Sequence, residues 1–187
     1  KENKNKVEKQ IRKTKYLNKK YMGYGFGIWL VVSNKIINDF IKEHNIESHI
    51  AHITVKCSMS LQDARYMFTE LTQKNVDISL LATYISDFTI FNGAKYFEED
   101  ILEACGYYME IPNWRQIVEI GNKYSGSFPS KPHLSLIYRN DYKKLVEYYK
   151  SITPPKIRNK KCKIKLCLVD ITSNNPNKWR IIKSFQK

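Results

Sequence analysis

The chain holds only four histidines, at positions 44, 49, 52 and 133. Two of them stand in similar settings, Ala51-His52-Ile53-Thr54-Val55 and Pro132-His133-Leu134-Ser135-Leu136. On a strand, side chains at i and i+2 point to the same face. Each stretch therefore presents an imidazole and a hydroxyl together, while Ile53 or Leu134 packs on the other side. One such motif usually marks a core histidine satisfied by a neighbour. Two of them, 81 residues apart and one in each half of the chain, point to chemistry.

That chemistry is the opening of a phosphodiester. The attacking oxygen needs a base and the leaving oxygen needs an acid. Histidine, with an unperturbed pKa of about 6.5, serves either role near neutrality. A hydroxyl beside each imidazole can donate to the non-bridging phosphate oxygens and stabilise charge in the transition state. His52, His133, Thr54 and Ser135 are thus the candidate catalytic set. No Asp, His or Cys cluster has metal-ligand spacing, so neither a metal nor another cofactor is expected. His44 and His49 read as surface or strand-edge residues. Lys56 and Lys131 flank the motifs; they could attract phosphate, or alternation could turn them outward. Gly23-x-Gly25-x-Gly27 lacks a following Gly-Lys-Ser/Thr and opens a strand, so it is not a phosphate loop.

The elements that must hold these residues alternate between strand and helix. Tyr24 to Ser33 is a continuous apolar strand, and Asn34 caps a helix through Ile36, Ile37, Phe40 and Ile41. His49 to Cys57 is the first motif strand. Ser60 and Asp63 open a helix with Leu61, Ala64, Met67, Phe68 and Leu71 on one face. Ile78 to Phe91 suits one or two strands, Asn92-Gly93 a turn, and Ala104 to Ile111 a further strand. Pro112 and Asn113 start a helix, and a turn-rich loop from Ser125 leads to the second motif strand, His133 to Tyr138. A helix over Tyr142 to Tyr149 follows. Lys163 to Thr172 alternates lysine with apolar residues, Asn174 to Asn177 is a turn, and Trp179 to Phe185 is the last strand. This is an α+β pattern given twice.

The 187 residues suit one domain, and a hydrophobic fraction of 42% supports a real core. The longest apolar run, Phe26 to Val32, is far short of the roughly 20 residues that span a membrane. The net charge of +14 is uneven. Residues 1–20 carry an excess of +7 and read as a basic arm, and residues 156–187 carry +9. The remainder, residues 21–155, is near neutral, so within a domain of residues 21–187 the expectation is a nearly neutral body with cationic ends that favour polyanionic partners. Cys57, Cys105, Cys162 and Cys167 form no C-x-x-C pair and read as reduced, mostly buried thiols of a cytoplasmic or nuclear protein. Lys, Asn and Ile together supply 63 residues, a bias expected of an A/T-rich genome such as that of many large DNA viruses and some parasites.

At its two motifs the chain resembles the 2H phosphoesterases, also called LigT-like or cyclic phosphodiesterase-like proteins. Phe26-Gly27-Ile28-Trp29 is similar to the first strand of plant-type members, and the resemblance implies that Trp29 lines the site. The helix after the first motif matches in place. Pro132-His133-Leu134-Ser135-Leu136-Ile137-Tyr138 is the closest stretch, and its Tyr138 resembles a substrate-contacting tyrosine. Cys167 to Thr172, with Trp179, looks like the last strand pair. Coverage runs over about residues 23–185. Ala51 departs from the usual proline, and the plant enzymes' cysteine pattern is missing.

The resemblance implies two pseudo-symmetric lobes, each an antiparallel sheet with helices outside, forming a central groove. It implies a monomeric, metal-independent phosphodiesterase acting beside a ribose 2′ or 3′ hydroxyl. The leading expectation is a 2′-5′-linked cyclic dinucleotide messenger such as 2′,3′-cyclic GMP-AMP, destroyed in the host cytoplasm by a viral protein evading immunity. The alternatives are a 2′,3′-cyclic phosphodiesterase, a 2′-5′ oligoadenylate or RNA-end processing enzyme with RNA contact through the basic ends, and a non-catalytic nucleic-acid-binding module.

Overall fold

The computed structural model describes residues 25–44, 50–73, 81–91, 103–139, 142–173 and 178–185, with only the backbone described at 103, 138 and 139. The basic arm, His49, and the two turns expected at Asn92-Gly93 and Asn174 to Asn177 lie outside these residues. The elements run β1 (Phe26–Ser33), α1 (Lys35–Glu43), β2 (His52–Met59), α2 (Leu61–Gln73), β3 (Leu81–Tyr84), β4 (Thr89–Phe91), β5 (Glu103–Glu110), α3 (Trp114–Gly121), β6 (His133–Arg139), α4 (Tyr142–Ser151), β7 (Lys161–Asp170) and β8 (Arg180–Phe185).

Local chemistry sets the helix starts. Asn34 Oδ1 accepts the backbone N–H groups of Ile36 and Ile37 at 2.9 and 3.4 Å. Ser60 Oγ accepts Asp63 N–H at 3.1 Å. Each bond satisfies a donor that the first helical turn leaves free. The Asp63 carboxylate accepts Ser125 N–H at 3.1 Å, tying α2 to the loop after α3.

All strand pairs are antiparallel, and six strands close on themselves in the order β1-β2-β6-β5-β3-β7, with β7 returning to β1. β8 adds to β7, and β4 adds to β5 beside β3, so β3 and β4 act as one interrupted strand. The mixed α+β class holds, and the sheet is a closed six-stranded barrel. One of its faces carries Ile28, Leu30, Ile53, Leu134, Ile164 and Leu166. These pack with Ile37 of α1, Met67 and Phe68 of α2, Ile117 of α3 and Leu145 of α4 in one buried core. Each such side chain contributes about 1.5–3 kcal/mol of burial. The opposite face carries Trp29, Cys167 and Val169, with Val31 and Trp179 packed against them.

The ladder slips by one residue at several places, and two of these match. Trp29 pairs with Thr54 but Ile28 with Lys56, and Gly106 pairs with Ser135 but Cys105 with Ile137. In each motif strand the extra residue follows directly on the hydroxyl, as in a β-bulge. Alternation breaks there, so Val55 and Lys56 are both buried, as are Leu136 and Ile137. This corrects the reading of Lys56. It neither faces phosphate nor turns to water: its ammonium donates to the carbonyls of Gly121 and Tyr124 at 2.6 and 2.8 Å, closing the C-terminal end of α3. Burial lowers its pKa from the ordinary lysine value, and the Asp63 carboxylate opposes that shift. The expectation of a cationic end set apart from a nearly neutral body is also corrected, because Lys161, Lys163 and Lys165 belong to β7 and Arg180 and Lys183 to β8, so the sheet itself carries that charge.

Gly106 sits where β5 crosses the second slip. A Cβ there would collide with the carbonyl oxygen of Leu134, a backbone atom that no rotamer change can move. Gly106→Ala is expected to lower stability by about 2–4 kcal/mol, read as a fall in the urea midpoint at unchanged slope. An unchanged midpoint would show that β5 and β6 can part without cost.

Candidate active site

β2 and β6 meet at one bridge, Ile53 to Leu134. Antiparallel register around that bridge sets His52 across from Ser135 and Thr54 across from His133. Ile53 and Leu134, fully buried, point into the core, so the four flanking side chains share the opposite face. Imidazole and hydroxyl alternate around a square, with the histidines on one diagonal and the hydroxyls on the other. Diagonal neighbours in an antiparallel pair lie about 7–8 Å apart, a separation that accommodates a phosphorus centre between two imidazoles. The structure thus brings together all four residues of the sequence-derived catalytic set.

Both imidazoles are held in the same way. His52 Nδ1 lies 2.7 Å from the carbonyl oxygen of Ile50, and His133 Nδ1 lies 2.8 Å from that of Lys131. A carbonyl oxygen only accepts, so Nδ1 carries the proton in each ring. The neutral ring then offers its lone pair at Nε2 and, once protonated, a proton at the same atom. That is the requirement for a residue acting as base or as acid.

The walls differ. His52 is 5% exposed and stacks on the Trp29 indole, with ring centroids 3.5 Å apart and planes 10° from parallel. Trp179 meets the edge of Trp29 at 5.8 Å. Trp29 is itself 2% exposed, so its immediate role is to fix the plane of His52. His133 is half-buried and lies 4.8 Å from Phe91 in a tilted contact, with Tyr108 packed on Phe91. The Lys131 ammonium is 5.9 Å from the centre of the Tyr108 ring. Tyr138 pairs with Ala104 in the β5–β6 ladder, and its side chain lies outside the described residues. His44 ends α1 against Phe40, with ring centroids 4.6 Å apart.

Phe91 and Tyr108 went unseen in the sequence as site residues. Neither lies near a motif in the chain; only the pairing of Tyr108 with His133 across β5 and β6 brings them in. All four cysteines are free thiols, three of them buried. Among the described residues, no group of three or more His, Cys, Asp and Glu side chains could hold a metal ion. No helix among them is long and apolar enough to cross a membrane. Comparison with known family models and with curated proteins finds no match to this chain.

Trp29 separates a positioning role from a substrate contact. Trp29→Leu removes the stacked surface under His52, and a displaced imidazole is expected to lower kcat by about 10–10²-fold with KM nearly unchanged. Trp29→Phe should restore part of the rate. A raised KM at constant kcat would instead make the indole a substrate platform.

Proposed function

We propose that this chain is a phosphodiesterase of the 2H type, acting on a phosphodiester next to a ribose 2′ or 3′ hydroxyl. The observation that carries the reading is the crossed square of two imidazoles and two hydroxyls about the Ile53–Leu134 bridge, with both Nδ1 atoms on backbone carbonyls. The matched slips after Thr54 and Ser135 support the related view of the barrel as two pseudo-symmetric lobes facing a common groove.

In the reaction, Nε2 of one histidine takes a proton from water as the water oxygen attacks phosphorus. Nε2 of the other gives its proton to the leaving ribose oxygen as the P–O bond breaks. Thr54 and Ser135 donate to the two non-bridging oxygens, whose charge grows in the transition state. The two histidines exchange protonation states in each turnover and reset through solvent. These groups supply acid, base and clamp, so turnover should not need a divalent cation. By its resemblance the substrate is a small 2′-5′-linked nucleotide, with a cyclic dinucleotide messenger as the leading case and a viral role in the host cytoplasm. A second substrate, an RNA end, is favoured by the lysines of β7, which share the face of the histidines.

The test is a panel of 2′,3′-cyclic GMP-AMP, 2′-5′ oligoadenylate and a 2′,3′-cyclic-phosphate RNA end, each with a chelator present. At least one should be cleaved. His52→Ala and His133→Ala should each lower that turnover by about 10²–10⁴-fold while the fold persists. Thr54→Val and Ser135→Ala should cost about 10–10³-fold. Full activity in either folded histidine variant would falsify the two-histidine mechanism. A chelator-treated protein revived only by zinc, manganese or magnesium would defeat the metal-independent reading.

A further inference from the structure

Strand β7 shows two faces. Cys162, Ile164, Leu166 and Leu168 are buried in the core, while Lys161 and Lys163 are exposed and Lys165 is half-buried on the other side. The ladder fixes which side that is. Lys165 pairs with Val31 and Cys167 with Trp29, so the lysines continue the row that contains the indole under His52. Val31 pairs in turn with His52. Lys165 therefore lies two strands from the buried imidazole, about 10 Å across the sheet.

We infer that Lys161, Lys163 and Lys165 form a binding site for the backbone phosphates of a single-stranded nucleic acid, leading away from the histidine pair. Alternate residues of a strand stand about 6.8 Å apart. That matches the phosphate-to-phosphate step of an extended single strand, so three successive phosphates can each meet one ammonium. The row is open: Lys163 lies between the short Ser33 and Leu81, itself exposed, and Lys161 lies beside the short Thr83. None of the three ammoniums is ion-paired among the described residues. Glu110, on the same face, is reached from Lys161 only across Thr83. A file one residue wide fits a single chain better than a duplex, which presents two backbones. Its continuity with the histidines fits a strand whose reacting phosphodiester lies between them. The proposal rests on the phosphodiesterase reading for that last step, but the lysine site stands or falls on binding.

The experiment measures binding of a single-stranded RNA of about twelve nucleotides and of a dinucleotide across salt concentrations, using the full chain with His133→Asn so that nothing is cut. Lys161→Gln, Lys163→Gln and Lys165→Gln are introduced together. Affinity for the longer strand should fall at least about tenfold, and the slope of log affinity against log salt should shrink by about 2, at roughly 0.7 for each lost phosphate contact. Affinity for the dinucleotide should change much less. The corresponding triple arginine variant should bind like the unaltered chain. If the triple glutamine variant does not fold, Lys163→Gln alone should lower the slope by about 0.7. An unchanged affinity and salt slope would overturn the proposal. Cleavage of the small panel by the chain with His133 intact is followed separately. Its absence counts against the phosphodiesterase and leaves the binding result to decide the lysine site.

Discussion

One antiparallel bridge, between Ile53 and Leu134, sets the geometry of everything around it. Because side chains alternate, fixing those two residues in the core fixes their four neighbours on the other face. A slip of one residue would turn both imidazoles and both hydroxyls toward the helices and take two large aliphatic side chains out of the core. The core contacts of Ile53 and Leu134 therefore hold the two imidazoles and two hydroxyls in register. The force that does so is the burial of hydrocarbon, with no polar bond needed between those four side chains.

The two slips that follow Thr54 and Ser135 show how this register is kept local. Immediately after each hydroxyl the strand takes in an extra residue, so two consecutive side chains face the core. In β6 those residues are Leu136 and Ile137, which the core accepts directly. In β2 the second is Lys56, whose ammonium needs partners. It finds them at the end of α3, where carbonyls lack donors within the helix and carry the negative end of its dipole. A feature that shapes the site thus also determines where α3 is anchored.

Much of this was legible in the sequence, and the reasons differ by residue. The motifs declared themselves because strand periodicity is strict: His-x-Thr and His-x-Ser put both functional groups on one face in any strand. Asn34 and Ser60 were readable as caps because capping is a local bond. Lys56 was misread because a bulge inverts the alternation that the reading relied on. Phe91 and Tyr108 were invisible because their place beside His133 comes from pairing across β4, β5 and β6. The closure of β7 on β1 is of the same kind. No local pattern says that residues 163–170 return to residues 26–33. That closure turned a presumed cationic end into a wall of the barrel.

The alternation along β7 records three environments in one strand. Its even-numbered residues from Cys162 to Leu168 meet the core throughout. The odd-numbered side begins as lysine at 161, 163 and 165, then becomes Cys167 and Val169. The change falls where Trp29 and Trp179 cover the sheet, since Cys167 pairs with Trp29. A lysine at 167 would have to bury its charge under an indole, which costs several kcal/mol without a partner. An apolar residue at 163 would instead lie open to water. The boundary between charge and hydrocarbon along β7 is therefore drawn by the same tryptophan that orients His52, so the cationic row begins where the covered part of the site ends.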